Sequence, residues 1–138
     1  MNFTKRDLQY FELAKNVARL SNYKVKIGAI IVENGDIIAT SFNGAKTHPM
    51  QMKYNAYRDF NNASKFTEHI IHAELGALIK IKRIKLKNAS IYVNRTSSKE
   101  FSKCRPCKGC QQALRDYGVK DIYYTTDDGY SYEYWDKS

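Results

Sequence analysis

Two short segments of the chain carry side chains suited to metal binding and proton transfer. The first is His72-Ala73-Glu74, and the second is Pro106-Cys107-Lys108-Gly109-Cys110, preceded by Cys104. Two cysteines three apart at the start of a helix project to one side and can grip a single ion, and a histidine from another helix adds a nitrogen ligand. Three protein ligands leave a fourth position open to water, and that vacancy separates a catalytic zinc from a structural one. Glu74, two residues past His72, can border the same pocket without serving as a ligand, which leaves it to shuttle protons. The expected set is therefore His72, Cys107 and Cys110 around Zn2+, with Glu74 as the catalytic group.

Each half of this set has another reading. A lone C-x-x-C can be a redox pair or half of a structural zinc site, and a lone His-x-Glu often arises by chance; their occurrence together, in this order, is much rarer. Cys104 extends the second segment to C-x-x-C-x-x-C and competes as a ligand. Pro106 favours the Cys107–Cys110 pair, because proline suits a helix entry where no backbone donor is needed. His69 could face the same way as His72, in a packing or supporting role.

The elements that must hold these groups are legible as periodicities. Residues Thr4 to Leu20 put Leu8, Phe11, Leu13, Val17 and Leu20 on a helical stripe, with Thr4 as the cap. Val25 to Val32, the turn Glu33-Asn34-Gly35-Asp36 and Ile37 to Phe42 read as a β-hairpin. Glu68 to Ile84 returns to helical spacing and carries His72 and Glu74. Ala89 to Asn94 is a strand. Cys107 to Tyr117 is a helix ended by Gly118, and Val119 to Thr126 is a strand. Asp127-Asp128-Gly129 then predicts a hairpin turn into an edge strand from Tyr130 to Trp135. The stretch from Asn43 to Thr67 lacks clear periodicity and suggests a lid over the site.

Bulk properties narrow the class. With 138 residues, 43% of them hydrophobic, the chain is expected to form one domain over residues 1–138. The segment MNFTKRDLQY lacks the apolar core of a secretory signal, and no run reaches the length of a membrane span, so a cytoplasmic protein with no membrane partner is expected. Three cysteines gathered between Cys104 and Cys110 form no spread disulfide framework and suit metal binding in a reducing compartment. A net charge of +9 favours phosphate-bearing ligands, although a lysine surplus also serves solubility alone. The run Lys80, Lys82, Arg83, Lys85 and Lys87 reads either as a solvated helix end or as a groove for phosphate or nucleic acid.

In its H-x-E…P-C-x-x-C segments, and along most of its length, the chain resembles the cytidine and deoxycytidylate deaminase superfamily. The resemblance implies a three-layer α-β-α sandwich around a mixed five-stranded sheet, with the zinc site at the N-termini of two helices. It implies hydrolytic release of ammonia from a nucleobase, Glu74 relaying a proton from water to the ring nitrogen and then to the departing amine. Asn43, in S-F-N-G, matches an asparagine that binds substrate sugar in such enzymes; an ordinary Asn-Gly turn is the competing reading. In the lid, His48, Lys53 and Tyr54 are candidate substrate contacts, the basic and aromatic groups there suiting phosphate and base.

The function expected first is deamination of a cytosine nucleotide or nucleoside, deoxycytidylate to deoxyuridylate before others. A deaminase of cytosine or adenine in single-stranded DNA or RNA is the alternative, and a non-catalytic zinc-stabilised module the third. The resemblance also implies a homo-oligomer. Some branches of the superfamily insert a helix before the last strand and make the final pair parallel; the Asp128-Gly129 turn instead predicts an antiparallel pair, as in the free-nucleoside branch.

Overall fold

A computed structural model describes residues 3–22, 26–44, 73–81, 85–96, 108–126 and 129–135. In chain order the elements are α1 (Lys5–Ala18), β1 (Lys26–Glu33), β2 (Asp36–Phe42), α2 (Ala73–Ile79), β3 (Ala89–Thr96), α3 (Lys108–Tyr117), β4 (Val119–Thr126) and β5 (Gly129–Tyr134). The strands form one mixed sheet in the order β2-β1-β3-β4-β5, parallel only between β3 and β4. The final pair is antiparallel, as its turn residues predict, with Thr126 opposite Gly129.

Alternation along the strands sorts side chains to two faces. Ala29, Ile31, Ile91, Val93, Ile122 and Tyr124 join α2 and α3 in the larger core, while Ile30, Val32 and Tyr92 pack with Phe11 and Ala14 of α1 in the smaller one. Helices on both sides of one sheet make the expected three layers.

Local chemistry explains several boundaries. Thr4 caps α1 through a capping box, its Oγ accepting from the Asp7 N–H while the Asp7 carboxylate accepts from the Thr4 N–H. The β1–β2 hairpin turns on Asn34 and Gly35, with φ of 51° and 86°, the left-handed pair a type I′ turn requires. Gly118, at φ 85°, ends α3.

Two expectations are corrected. The buried face of α1 is Phe11, Ala14 and Ala18, whereas Leu8, Leu13 and Leu20 are exposed, Leu20 by 62%. The cause is a close approach: a Cβ on Gly28 would overlap the Ala14 carbonyl oxygen and lie 2.5 Å from the Ala18 nitrogen, so the face against β1 must be small. The second helix ends at Ile79, short of Ile84. Its last turn tightens through Lys80 N–H to the Ala77 carbonyl and Ile81 N–H to the Leu78 carbonyl, and the chain then brings buried Leu86 beneath α3, where its N–H donates to the Tyr117 carbonyl at 2.9 Å.

Candidate active site

Register and helix packing place the described candidates, Asn43, Glu74 and Cys110. Lys26 pairs with Thr96, and Gly28 with Phe42, so the carboxyl ends of β2 and β3 lie together. The α3 helix ends where β4 begins, beside the start of β3, so its first turn lies towards the carboxyl end of β3; α2 packs against the β1–β2 hairpin and against α3. Ligands of open sheets with parallel strands bind outside the strands' carboxyl ends.

Glu74 stands in the first turn of α2 and is 5% exposed; Cys110 stands in the first turn of α3 and is 1% exposed. The two helices pack against each other on the larger core. A carboxylate and a thiol are thus withdrawn from water on adjoining helices. A buried carboxylate at such a place is a candidate for proton-transfer chemistry. Thiolate with imidazole is a donor set that suits zinc.

His72 immediately precedes Ala73 of α2, and Cys107 immediately precedes Lys108 of α3; both lie outside the described residues, as do Cys104, His69, His48, Lys53 and Tyr54. Among the described residues, accordingly, no three ligand-type side chains gather.

Asn43 lies just past β2 at the same end, 5% exposed. Its Oδ1 accepts from the Ile27 N–H at 2.9 Å, its N–H donates to the Ile27 carbonyl at 3.1 Å, and its carbonyl accepts from the Ser21 hydroxyl at 2.9 Å. Asn43 therefore extends the β1–β2 ladder by one residue through main chain and side chain together, and is fixed at the rim of the site. The bracing by Ser21 was not visible in the sequence, because nothing local to Ser21 marks a partner 22 residues away.

Of the basic run, Lys87 lies at the opposite end of the sheet. Lys87 donates its N–H to Glu33 Oε2 beside the β1–β2 turn, at the start of β3, and an eight-residue strand separates it from Thr96 by about 23 Å. The Lys80 ammonium instead donates to the Thr40 carbonyl at 2.6 Å. Lys85 and Lys87 are exposed. Lys87 thus sits by the amino end of β3, opposite the end at which Asn43 lies. No helix among the described residues is long and apolar enough to cross a membrane.

Comparison with known proteins bears on the fold and the family. Over 126 residues the chain is 26% identical to the deoxycytidylate deaminase of Schizosaccharomyces pombe, an alignment covering 87% of this chain and 37% of that protein; the chain spans little more than a third of its relative's length. The fold matches the dCMP deaminase of cyanophage S-TIM5, with a TM-score of 0.62 in the apo form at 22% identity, covering 91% of this chain and 86% of the other. The same phage enzyme in complex with dCMP and dUMP matches with a TM-score of 0.60 at 21% identity, over 91% and 85% of the chains. A cytidine deaminase from Burkholderia pseudomallei matches with a TM-score of 0.59 at 15% identity, over 96% and 93%. Residues 4–126 match the model of the cytidine and deoxycytidylate deaminase zinc-binding region, and the chain belongs to that family.

Proposed function

We infer that the chain is a zinc-dependent hydrolytic deaminase of a cytosine nucleotide, converting deoxycytidylate and water to deoxyuridylate and ammonia. The observation that carries this reading is the burial of Glu74 beside the helix that bears Cys110. A zinc-stabilised binding module needs ligands but has no use for a dehydrated carboxylate next to them.

In this reading His72, Cys107 and Cys110 hold the zinc, which when bound supplies an acidified water at neutral pH. Glu74 takes one proton from the water and delivers it to the ring nitrogen, then takes the second from the hydroxyl now on the ring carbon and passes it to the amine as the carbon–nitrogen bond breaks, so that the carboxylate is restored at the end of each turnover. Enclosure on two packed helices keeps bulk water from competing for those protons. Asn43, fixed by Ile27 and Ser21, contacts the sugar; His48, Lys53 and Tyr54 close over base and phosphate.

The nucleotide is favoured by the Schizosaccharomyces pombe relative and by the +9 charge, which raises the local concentration of anions. A free nucleoside is the second reading, and the antiparallel β4–β5 pair favours it. The described part of the basic run offers the single-stranded nucleic acid reading no support.

Ammonia release is to be measured on deoxycytidylate, cytidylate, deoxycytidine, cytidine and single-stranded oligonucleotides. Deoxycytidylate is expected to have the highest kcat/KM; a preference for cytidine transfers the assignment to the nucleoside. Glu74→Gln is expected to retain bound zinc while losing about 10²- to 10⁴-fold in kcat, and Cys110→Ala to lose the zinc. Full activity in Glu74→Gln would sink the proposed mechanism.

A further inference from the structure

We propose that the outer edge of β5 is an association surface for a second copy of the chain, the two β5 strands pairing antiparallel about Tyr132. The hydrogen-bonding phase of the edge fixes this geometry. The Trp135 N–H donates to the Lys120 carbonyl at 2.7 Å, and Gly129 lies opposite Thr126. Residues 129, 131, 133 and 135 thus turn their backbone groups towards β4. Tyr130, Tyr132 and Tyr134 turn theirs outward, and among the described residues no strand lies beyond them.

Strand edges are usually blunted by lysine, proline or a bulge. The other edge of this sheet follows the rule. Its β2 strand presents the Thr40 carbonyl outward, since Asn43 and Ile27 bond to each other three residues on, and the Lys80 ammonium occupies that carbonyl. The β5 strand, Gly-Tyr-Ser-Tyr-Glu-Tyr, contains no lysine, arginine or proline. Its one charged residue is drawn away from the edge, Glu133 accepting from the Tyr124 hydroxyl and from the Trp135 indole.

The sequence is self-complementary about Tyr132. Antiparallel pairing on that centre places Tyr132 opposite its own copy and Tyr130 opposite Tyr134, all three with outward backbone groups, so each pair can exchange both of its N–H···O bonds. The tyrosine rings then line one face as cross-strand aromatic pairs, with Tyr130 and Tyr134 already 41% and 56% exposed. On the other face Ser131 meets Glu133, so the two glutamates never oppose each other. Such a pairing is isologous and closes at two copies, since Lys80 blocks the other edge.

Sedimentation and amide hydrogen exchange test this on the intact chain. The Tyr132 amide is expected to exchange more slowly as protein concentration rises, and added salt, by screening +9 against +9, to strengthen the association. Tyr134→Pro removes an outward N–H without touching the ladder to β4. It is expected to reduce the sedimenting mass by the β5-linked step while leaving circular dichroism unchanged. A Tyr132 amide whose exchange does not change with concentration, or a Tyr134→Pro chain that sediments like the parent, would overturn the proposal. Should the variant lose its fold, the exchange measurement on the parent decides alone.

Discussion

At the scale of single residues, the chain separates groups that do chemistry from groups that hold them still, and Asn43 does the holding whether or not it also touches substrate. Its carboxamide oxygen satisfies the partly buried Ile27 N–H. Asn43→Ala leaves that donor without its partner, at a cost of about 1–3 kcal/mol, which denaturant titration will measure. Kinetics well below the unfolding temperature separate the second role. A sugar contact raises KM in the alanine chain, whereas unchanged KM and kcat would reduce Asn43 to a brace. The spacing of His72, Glu74, Cys107 and Cys110 marks them as candidates because metal chemistry demands particular side chains at particular separations. Asn43 was ambiguous because S-F-N-G suits a turn as well as a site, and only the Ile27 and Ser21 contacts show how firmly it is set.

At the scale of elements, the legible features were those whose cause is local. Asn34-Gly35 announces a type I′ hairpin because few residues tolerate positive φ, Gly118 ends its helix for the same reason, and Thr4 with Asp7 completes a cap within four residues. The face of α1 was misread because its determinant lies elsewhere in the chain. Leu8, Leu13 and Leu20 have the hydrophobicity of a core stripe, yet the helix comes so near to Gly28 that only Ala14 and Ala18 fit between. The length of α2 was overestimated for a similar reason: the helical spacing continues past Ile79, but the need to seat Leu86 beneath α3 ends it. Gly28→Ala tests the first of these arguments. Its methyl group meets backbone atoms that no rotamer change can move, so destabilisation of about 3 kcal/mol, at the upper end for overpacked sites, is expected. A lowered urea midpoint with an unchanged slope would show it. An unaltered midpoint would mean that α1 is free to shift away from β1.

At the scale of the whole molecule, the face of the sheet under α1 is held by aromatic rings whose hydroxyl protons belong to the folded state. Tyr92 and Tyr123 stack at 4.3 Å, Phe11 and Tyr130 at 4.0 Å, and the Tyr92 hydroxyl donates to Asp7 Oδ1 at 2.6 Å, tying the cap of α1 to the middle of the sheet. Burial raises the pKa of Tyr92 far above its ordinary value of 10, with the Asp7 hydrogen bond adding to it. Burial likewise raises Tyr132, assisted by its hydrogen bond to Asp121, and raises Tyr123 and Tyr117. In each case the folded chain binds the proton more tightly than the unfolded chain does. The resulting stability is fully present below pH 10 and is lost as the pH rises beyond that value towards the folded-state pKa values. The chain is therefore expected to unfold in alkali, with tyrosinate absorbance from these rings appearing together with loss of circular dichroism rather than before it. Tyr92→Phe separates the contributions. Near neutral pH it lacks the bond to a charged acceptor and is less stable by about 1.5–3 kcal/mol. Above pH 10 it has no phenol to ionise at that position, so its stability falls less steeply and the gap to the parent narrows. Parallel stability curves for the two chains between pH 9 and the alkaline transition would show that Tyr92 is not among the protons that hold the fold together.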